Sequence, residues 1–117
     1  MADEQDTAAL PPRRPKADLS GKQRKHLRGL AHHLSPLVRV GHEGLTEGVA
    51  QAISEALESH ELIKVKLLET APESKSEFAE RAGLRCGAHV AGTVGRTVIL
   101  YRRHPNRPQV TLPPKNS

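Results

Sequence analysis

The chain has 117 residues, a length that suits one domain, and a formal net charge of +5 that favours phosphate-rich partners. Aromatic side chains are nearly absent, with one Phe, one Tyr and no Trp, so base stacking on rings has only Tyr101 as a candidate. The single cysteine excludes an intrachain disulfide, and no apolar run reaches the roughly 20 residues of a membrane span, so we expect a cytoplasmic protein without a membrane partner.

Both ends of the chain differ in composition from its middle. Residues 1–18 contain three prolines among charged and small residues, which predicts a disordered N-terminal tail. Residues 104–117 are also rich in proline and are predicted to be a C-terminal tail, in which Val110 and Leu112 can dock locally. The globular domain is therefore expected to cover residues 19–103.

The first predicted helix begins at Ser20, because Ser20 and Gln23 have the spacing of a capping box. One side of this helix is apolar and is formed by Leu27, Leu30, Ala31 and Leu34. The opposite side carries Lys22, Lys25 and Arg28, with Arg24 at its margin. A basic face is usually just the solvated side of an amphipathic helix. Here no carboxylate occurs between Ser20 and Arg39, which favours an anionic partner.

A Gly-x-x-Gly turn follows a short predicted strand at residues 37–40 and precedes a second predicted helix at residues 46–59. Such a turn directs backbone N–H groups and the positive end of a helix at a bound phosphate. Two glycines at this spacing are also common in ordinary turns, and Glu43 inside the loop opposes a phosphate. The candidate phosphate-binding residues at this turn are Arg39, Gly41, His42 and Gly44.

The second helix is predicted to expose an acidic stripe, formed by Glu47, Gln51, Glu55 and Glu58, which should face away from a phosphate-bearing partner because carboxylates repel phosphates. Residues 61–68 alternate as a strand, with Lys64 and Lys66 pointing opposite to Ile63, Val65 and Leu67. A second capping box at Ser74 and Glu77 predicts a third helix that ends near Gly87.

Two final strands, at residues 88–94 and 97–101, read as a hairpin. The predicted order is α-β-α-β-α-β-β, which makes the fold class α/β, a compact single-domain sandwich with a mixed four-stranded sheet. Arg96, Arg102 and Arg103 flank the last strand. Arginines at strand ends are usually solvated, but these three extend the basic surface if the hairpin lies beside the Gly-x-x-Gly turn.

No catalytic constellation is evident in the sequence. The seven histidines lack zinc-site spacing, and Cys86 lies on an apolar helix face where a buried thiol is expected. A nucleotide-binding loop with a lysine, a nucleophilic serine motif and paired carboxylates are all missing from the sequence. We therefore predict no enzymatic activity, no cofactor, no metal and no small-molecule substrate.

Four stretches, at residues 20–32, 41–49, 60–66 and 94–102, carry a family resemblance. The second reads Gly-x-x-Gly-Leu-Thr-Glu-Gly-Val and the last reads Val-Gly-x-Thr-Val-Ile-Leu-Tyr-Arg. In this order they resemble the YhbY family, the stand-alone bacterial form of the CRM (chloroplast RNA splicing and ribosome maturation) domain. The resemblance covers about residues 20–103.

This resemblance implies a fold like the C-terminal domain of translation initiation factor three. It also implies RNA binding through a basic surface that includes the loop glycines, and association with rRNA in precursors of the large ribosomal subunit during ribosome assembly. We expect a monomer. The complete predicted RNA-binding set is Lys22, Arg24, Lys25, Arg28, Arg39, Gly41, His42, Gly44, Arg96, Arg102 and Arg103.

Three alternatives remain open from the sequence. The acidic stripe of the second helix could dock a basic ribosomal protein, which would make the chain a protein-interaction module. The same charge and fold suit a sequence-neutral DNA binder. An RNA-modifying enzyme is the third alternative, and the missing catalytic residues argue against it.

Overall fold

The computed structural model describes residues 18–115, so the predicted N-terminal tail up to residue 17 lies outside the described residues. Three helices and four strands occur within this range, in the predicted order α-β-α-β-α-β-β. The helices are α1 (Gly21–Ala31), α2 (Glu47–His60) and α3 (Lys75–Cys86). The strands are β1 (Val38–Val40), β2 (Leu62–Leu67), β3 (His89–Val94) and β4 (Thr97–Tyr101).

Local capping signals set the helix ends. The Ser20 hydroxyl accepts the Gln23 N–H at 3.1 Å, while the Gln23 side chain accepts the Ser20 N–H at 3.1 Å. Ser74 and Glu77 form the same reciprocal pair at the start of α3. Gly87 follows α3 with φ +64°, the left-handed conformation that glycine adopts without a steric penalty. Both predicted capping boxes and the predicted end of α3 are therefore confirmed.

The four strands form one mixed sheet in the order β1-β2-β4-β3. β1 runs parallel to β2, and β4 runs antiparallel to both β2 and β3. The C-terminal ends of β1 and β2 therefore lie at the end of the sheet that carries the β3–β4 hairpin. We call this end of the sheet, where strands terminate, the hairpin edge. The start of β2 and the end of β4, where Leu62 pairs with Tyr101, define the opposite edge, which we call the tail edge.

The main core lies between the sheet and helices α2 and α3. Its largest fully buried side chains include Ile53, Leu57, Phe78, Val65 and Leu100. Alternate residues of β2 and β4 point into this core, as expected for strands with two distinct faces. The sheet is therefore covered on this side by two helices.

A smaller core lies on the other face of the sheet, under α1. Leu27 and Ala31 are fully buried there and pack with Ile99 and Tyr101. Tyr101 is only 2% exposed and stacks against the His89 ring, so it is not free to stack on a base as the composition had suggested. The smaller core thus uses the one tyrosine for packing.

The segment after β4, residues 104–115, lies against the domain and is called the C-terminal strap. It is held by the carboxylate of Glu61, which is 2% exposed. This carboxylate accepts the backbone N–H groups of His104, Gln109 and Val110, each at 2.8 Å. The strap therefore supplies the donors that a buried carboxylate requires.

Apolar contacts also hold the strap against the domain. Val110 and Leu112 pack against the smaller core, which confirms that these two residues dock. The Gln23 side-chain amide donates to the Pro113 carbonyl at 2.8 Å, so the strap reaches the first turn of α1. The smaller core is thus closed at the tail edge by residues beyond the last strand.

Cys86 is 4% exposed in α3, which confirms the predicted buried thiol. Burial raises the pKa of this thiol, against the opposing charges of Arg102 and Arg85, so the thiolate form is disfavoured. No helix between residues 18 and 115 combines the length and apolar character that crossing a bilayer requires.

Candidate nucleic-acid interface

The outer face of α1 presents two unpaired ammonium groups. Lys22 and Lys25 are exposed, and neither side chain makes a hydrogen bond or ion pair with another described residue. Arg24, at the margin of this face, is half-buried and donates to the Leu19 carbonyl at 2.7 Å. The two lysines therefore offer all their donors to an external anion, whereas Arg24 also fixes the start of the helix.

Arg28 is anchored to the sheet but remains exposed. Its guanidinium donates to the Ala91 carbonyl at 3.0 Å, and its stem crosses β3 at Gly92. A Cβ on Gly92 would lie 2.6 Å from the Arg28 Cδ, so this close approach requires glycine. The anchor orients the guanidinium, and its remaining N–H groups stay available for a phosphate.

Half of the sheet is left uncovered on the α1 side, because α1 packs over β3, β4 and the start of β2. Arg39 of β1 pairs with Lys66 of β2, so both side chains lie on this face. Lys64 lies two residues earlier on β2, also on this face. We call Arg39, Lys64 and Lys66 the exposed sheet face.

The cations of the exposed sheet face are largely free. Arg39 and Lys66 are exposed and make no side-chain hydrogen bond or ion pair with the part of the chain that the structure describes. Lys64 donates once, to the Leu34 carbonyl at 3.0 Å. Lys64 and Lys66 were not among the predicted binding residues, although their alternation with buried β2 residues already placed them opposite the core.

The Gly-x-x-Gly turn lies at the hairpin edge, where it connects β1 to α2. The Gly44 N–H donates to the Gly41 carbonyl at 3.0 Å, and Gly44 has φ +69°. The Glu73 carboxylate accepts the Leu45 N–H at 3.2 Å, and a Cβ on Gly44 would lie 2.6 Å from Glu73 Oε1. The inner side of the turn is therefore already occupied by a carboxylate.

The occupied inner side changes how a phosphate can meet the turn. Glu73 is 10% exposed and pairs with Arg81 at 2.7 Å, so it is held in place. Like charges repel, so Glu73 disfavours an anion on the inner side of the turn, and the outer side exposes His42 together with Glu43. Gly44 thus serves the fold in two ways, because it adopts a positive φ and because it leaves room for the Glu73 carboxylate.

Arg96 lies at the hairpin edge, beside the turn. Its guanidinium donates to the Leu67 carbonyl at 3.1 Å and to the Leu68 carbonyl at 2.7 Å, and the Leu68 N–H donates to Val40, next to the turn. The structure therefore brings Arg96 close to the Gly-x-x-Gly turn, but two of its donors already serve the end of β2.

Arg102 and Arg103 lie at the tail edge, at the far end of β4 from Arg96. Arg102 donates to the Ser54 carbonyl at 3.1 Å and to the Cys86 carbonyl at 2.8 Å, and so joins β4 to α2 and α3. Arg103 is exposed. The three arginines around the last strand are therefore not brought together.

The acidic stripe of α2 lies on the opposite side of the sheet from α1, and much of its charge is paired internally. Glu47 pairs with Arg85 at 2.5 Å. Glu58 contacts Arg102 at 3.5 Å and His104 at 3.1 Å. Internal pairing leaves less charge for a basic protein partner, so this face is the weaker candidate interface.

Fold and charge together define a class of small α/β sandwich with a cationic α1 side and a partly neutralised acidic α2 side. The chain belongs to the CRS1/YhbY (CRM) domain family, whose profile matches residues 19–102. The family resemblance seen in the sequence is therefore confirmed.

Similarity to individual proteins supports this assignment. The chain is 39% identical over 95 residues to "Probable RNA-binding protein YqeI" of Bacillus subtilis (strain 168), covering 81% of this chain and 99% of that protein. It is 45% identical over 84 residues to "RNA-binding protein" of Haemophilus influenzae, covering 72% of this chain and 85% of that protein. The solution structure of SAV1595 from Staphylococcus aureus matches with a TM-score of 0.71 and 33% identity, covering 81% of this chain and 99% of that one.

Proposed function

We propose that this protein is a monomeric, non-catalytic RNA-binding protein that associates with rRNA in precursors of the large ribosomal subunit and assists their assembly. The observation that carries RNA binding is the set of exposed, unpaired cations on the α1 side, Lys22, Lys25, Arg39 and Lys66. The names of the relatives support RNA as the partner. The ribosomal part rests on the family resemblance.

Phosphate contacts dominate in this proposal. Lys22 and Lys25 act as point charges, whereas the anchored Arg28 presents a planar fork that suits two phosphate oxygens. The outer side of the Gly41–Gly44 turn allows close approach of one backbone segment. Because each phosphate contact releases counterions, binding is expected to weaken steeply as salt rises.

Charge reversal on α1 tests the placement. The double substitution Lys25→Glu and Arg28→Glu is expected to weaken binding of an rRNA fragment across sequences, and to flatten the log–log salt dependence by about one unit per lost phosphate contact. Fluorescence anisotropy over a range of salt concentrations measures both quantities.

A matched control separates the site from net charge. Lys75→Glu with Arg107→Glu changes the net charge equally, and both side chains are exposed and unpaired within residues 18–115. We expect this pair to retain the salt slope. Equal effects of the two double variants, or no effect of the first, would contradict the placement on α1.

A further inference from the structure

Three large aliphatic side chains are exposed from the last turn of α1 to the residue before β1. Leu30, Leu34 and Leu37 are 42%, 39% and 51% exposed, and we call them the leucine strip. The sequence had placed Leu30 and Leu34 on the buried side of the helix with Leu27 and Ala31, which are fully buried. Hydrogen bonds to Lys64 from both sides bring Leu34 and Leu37 close together, and contiguous exposed apolar surface commonly marks a binding site.

The leucine strip borders the exposed sheet face. The Lys64 ammonium donates to the Leu34 carbonyl at 3.0 Å, and the Leu37 N–H donates to the Lys64 carbonyl at 3.1 Å. Leu37 directly precedes β1, on which Arg39 lies, and its bond to Lys64 places it beside the exposed sheet face. Apolar and cationic groups therefore lie side by side.

We propose that the leucine strip holds unpaired bases of an RNA strand whose phosphates contact Arg39, Lys64 and Lys66. This inference rests on the proposed RNA-binding function and specifies unpaired RNA as its ligand. The cations match a polyanion, since no Asp or Glu occurs in residues 20–42 or 62–68. Leucine side chains gain nothing from phosphates, but the flat faces of unstacked bases can cover them.

The geometry of a duplex favours unpaired RNA as the ligand of the strip. A-form duplexes keep base faces stacked and present a deep, narrow major groove that side chains cannot read. Proteins that bind unpaired RNA usually stack its bases on aromatic rings. The only Phe and the only Tyr of this chain, Phe78 and Tyr101, are 0% and 2% exposed, so aliphatic side chains such as the leucine strip are what the cationic surface offers to bases.

The test compares two RNA probes by fluorescence anisotropy, an unstructured strand of about 12 nucleotides and a blunt duplex of about 12 base pairs. Leu34→Ser with Leu37→Ser is expected to weaken binding of the unstructured strand about tenfold, since each leucine loses apolar area that a base would cover. The salt dependence with which this double variant binds the unstructured strand should stay unchanged, because no phosphate contact is lost. Duplex affinity should change less than about twofold, because a duplex leaves the strip uncovered.

Companion variants make the result specific. Lys64→Gln with Lys66→Gln should lower the salt slope on the unstructured strand by about 0.7 per lost phosphate contact. Val94→Ser replaces an apolar side chain that is 61% exposed at the hairpin, and it should leave both affinities unchanged. Melting temperatures confirm that each variant is folded.

Several outcomes would overturn the inference. A leucine double variant that binds both probes like the parent protein refutes base contacts while RNA binding itself stands. Equal weakening of both probes also refutes them. Loss of a protein partner from a nuclease-treated lysate, with RNA affinity intact, would show that the strip contacts protein instead. A parent protein that binds an rRNA fragment but neither probe would refute this inference alone, whereas one that binds none of the three RNAs would refute the proposed function as well.

Discussion

Glu61 illustrates, at the scale of one residue, how a buried charge is stabilised by backbone donors. Burial alone raises the pKa of this carboxyl, but the three N–H groups of the strap and the nearby His104 more than offset this effect. The folded-state pKa therefore lies below its ordinary value. The resulting stabilisation is present above the unfolded-state pKa and is lost as the pH falls through the folded-state pKa.

Substituting Glu61→Gln should lower the free energy of unfolding at neutral pH by about 2–4 kcal/mol. An amide has only one acceptor oxygen, so its NH2 group would face at least one of the three backbone N–H donors. It should also reduce the loss of stability on acidification, since the titrating group is gone. Urea denaturation at neutral and acidic pH measures both effects. Glu55→Gln, at an exposed site, is the control, and equal stabilities of the two variants would contradict this account.

Two features of the structure require glycine at position 44. Its φ is +69°, and a Cβ at this position would lie 2.6 Å from Glu73 Oε1. We expect Gly44→Ala to cost about 1–3 kcal/mol of unfolding free energy from the backbone strain, and more from displacing Glu73. Gly95→Ala is the matched control, since Gly95 has φ +59° with open space around it. Thermal and urea unfolding measure the difference. A cost at Gly44 no larger than that at Gly95 would refute the role assigned to Glu73.

At the scale of secondary-structure elements, Arg102 joins three of them through hydrogen bonds. Its guanidinium contacts Ser54 on α2 and Cys86 at the end of α3 from a position just after β4. These bonds compete with a role in RNA binding, because donors that hold buried carbonyls are not free for phosphates. The structure thus separates Arg102 from the exposed cations of the α1 side.

We expect Arg102→Ala to lower the free energy of unfolding by about 1–3 kcal/mol, since it leaves carbonyl groups without a donor. The salt slope of RNA binding should remain that of the parent protein. Arg103→Ala, the exposed neighbour, should change stability by less than about 0.5 kcal/mol. A reduced salt slope for the folded Arg102→Ala protein would instead place this arginine in the RNA interface.

At the scale of the whole molecule, the sheet separates two unlike surfaces. The α1 side combines the outer face of α1 with the exposed sheet face, while the acidic stripe of α2 lies on the other side. Segregated charge of this kind orients a polyanion toward one side during encounter. It also makes association dependent on ionic strength.

Sedimentation of a cell lysate on a sucrose gradient tests the cellular partner. If the protein binds rRNA during assembly, it should migrate with immature large subunits at low salt and leave them as salt rises. Competition with duplex DNA and structured RNA in the same buffer should favour RNA. If the protein is found only at the top of the gradient at low salt, the ribosomal part of the proposal is refuted, and the partner is a smaller RNA or protein.

Much of the architecture was predictable because its signals are local. The capping boxes at Ser20 and Ser74 mark helix starts through contacts over three residues, and hydrophobic periodicity identifies buried faces such as that of Cys86. The alternation of β2 likewise placed Lys64 and Lys66 opposite the core. Element order, the helix starts and the basic character of α1 thus follow from the amino-acid sequence by itself, whereas the first helix ends at Ala31, before the predicted helical residue Leu34.

Only the tertiary structure decided which residues share a surface. Leu30 and Leu34 have the periodicity of buried residues, but both are exposed. Leu30 is exposed because α1 packs over β3, β4 and only the start of β2, and Leu34 because α1 already ends at Ala31. Arg96 and Arg102 look alike in sequence, yet strand order places them at opposite edges of the sheet. Such outcomes depend on contacts between residues far apart in the chain, and local sequence patterns carry no information about those contacts.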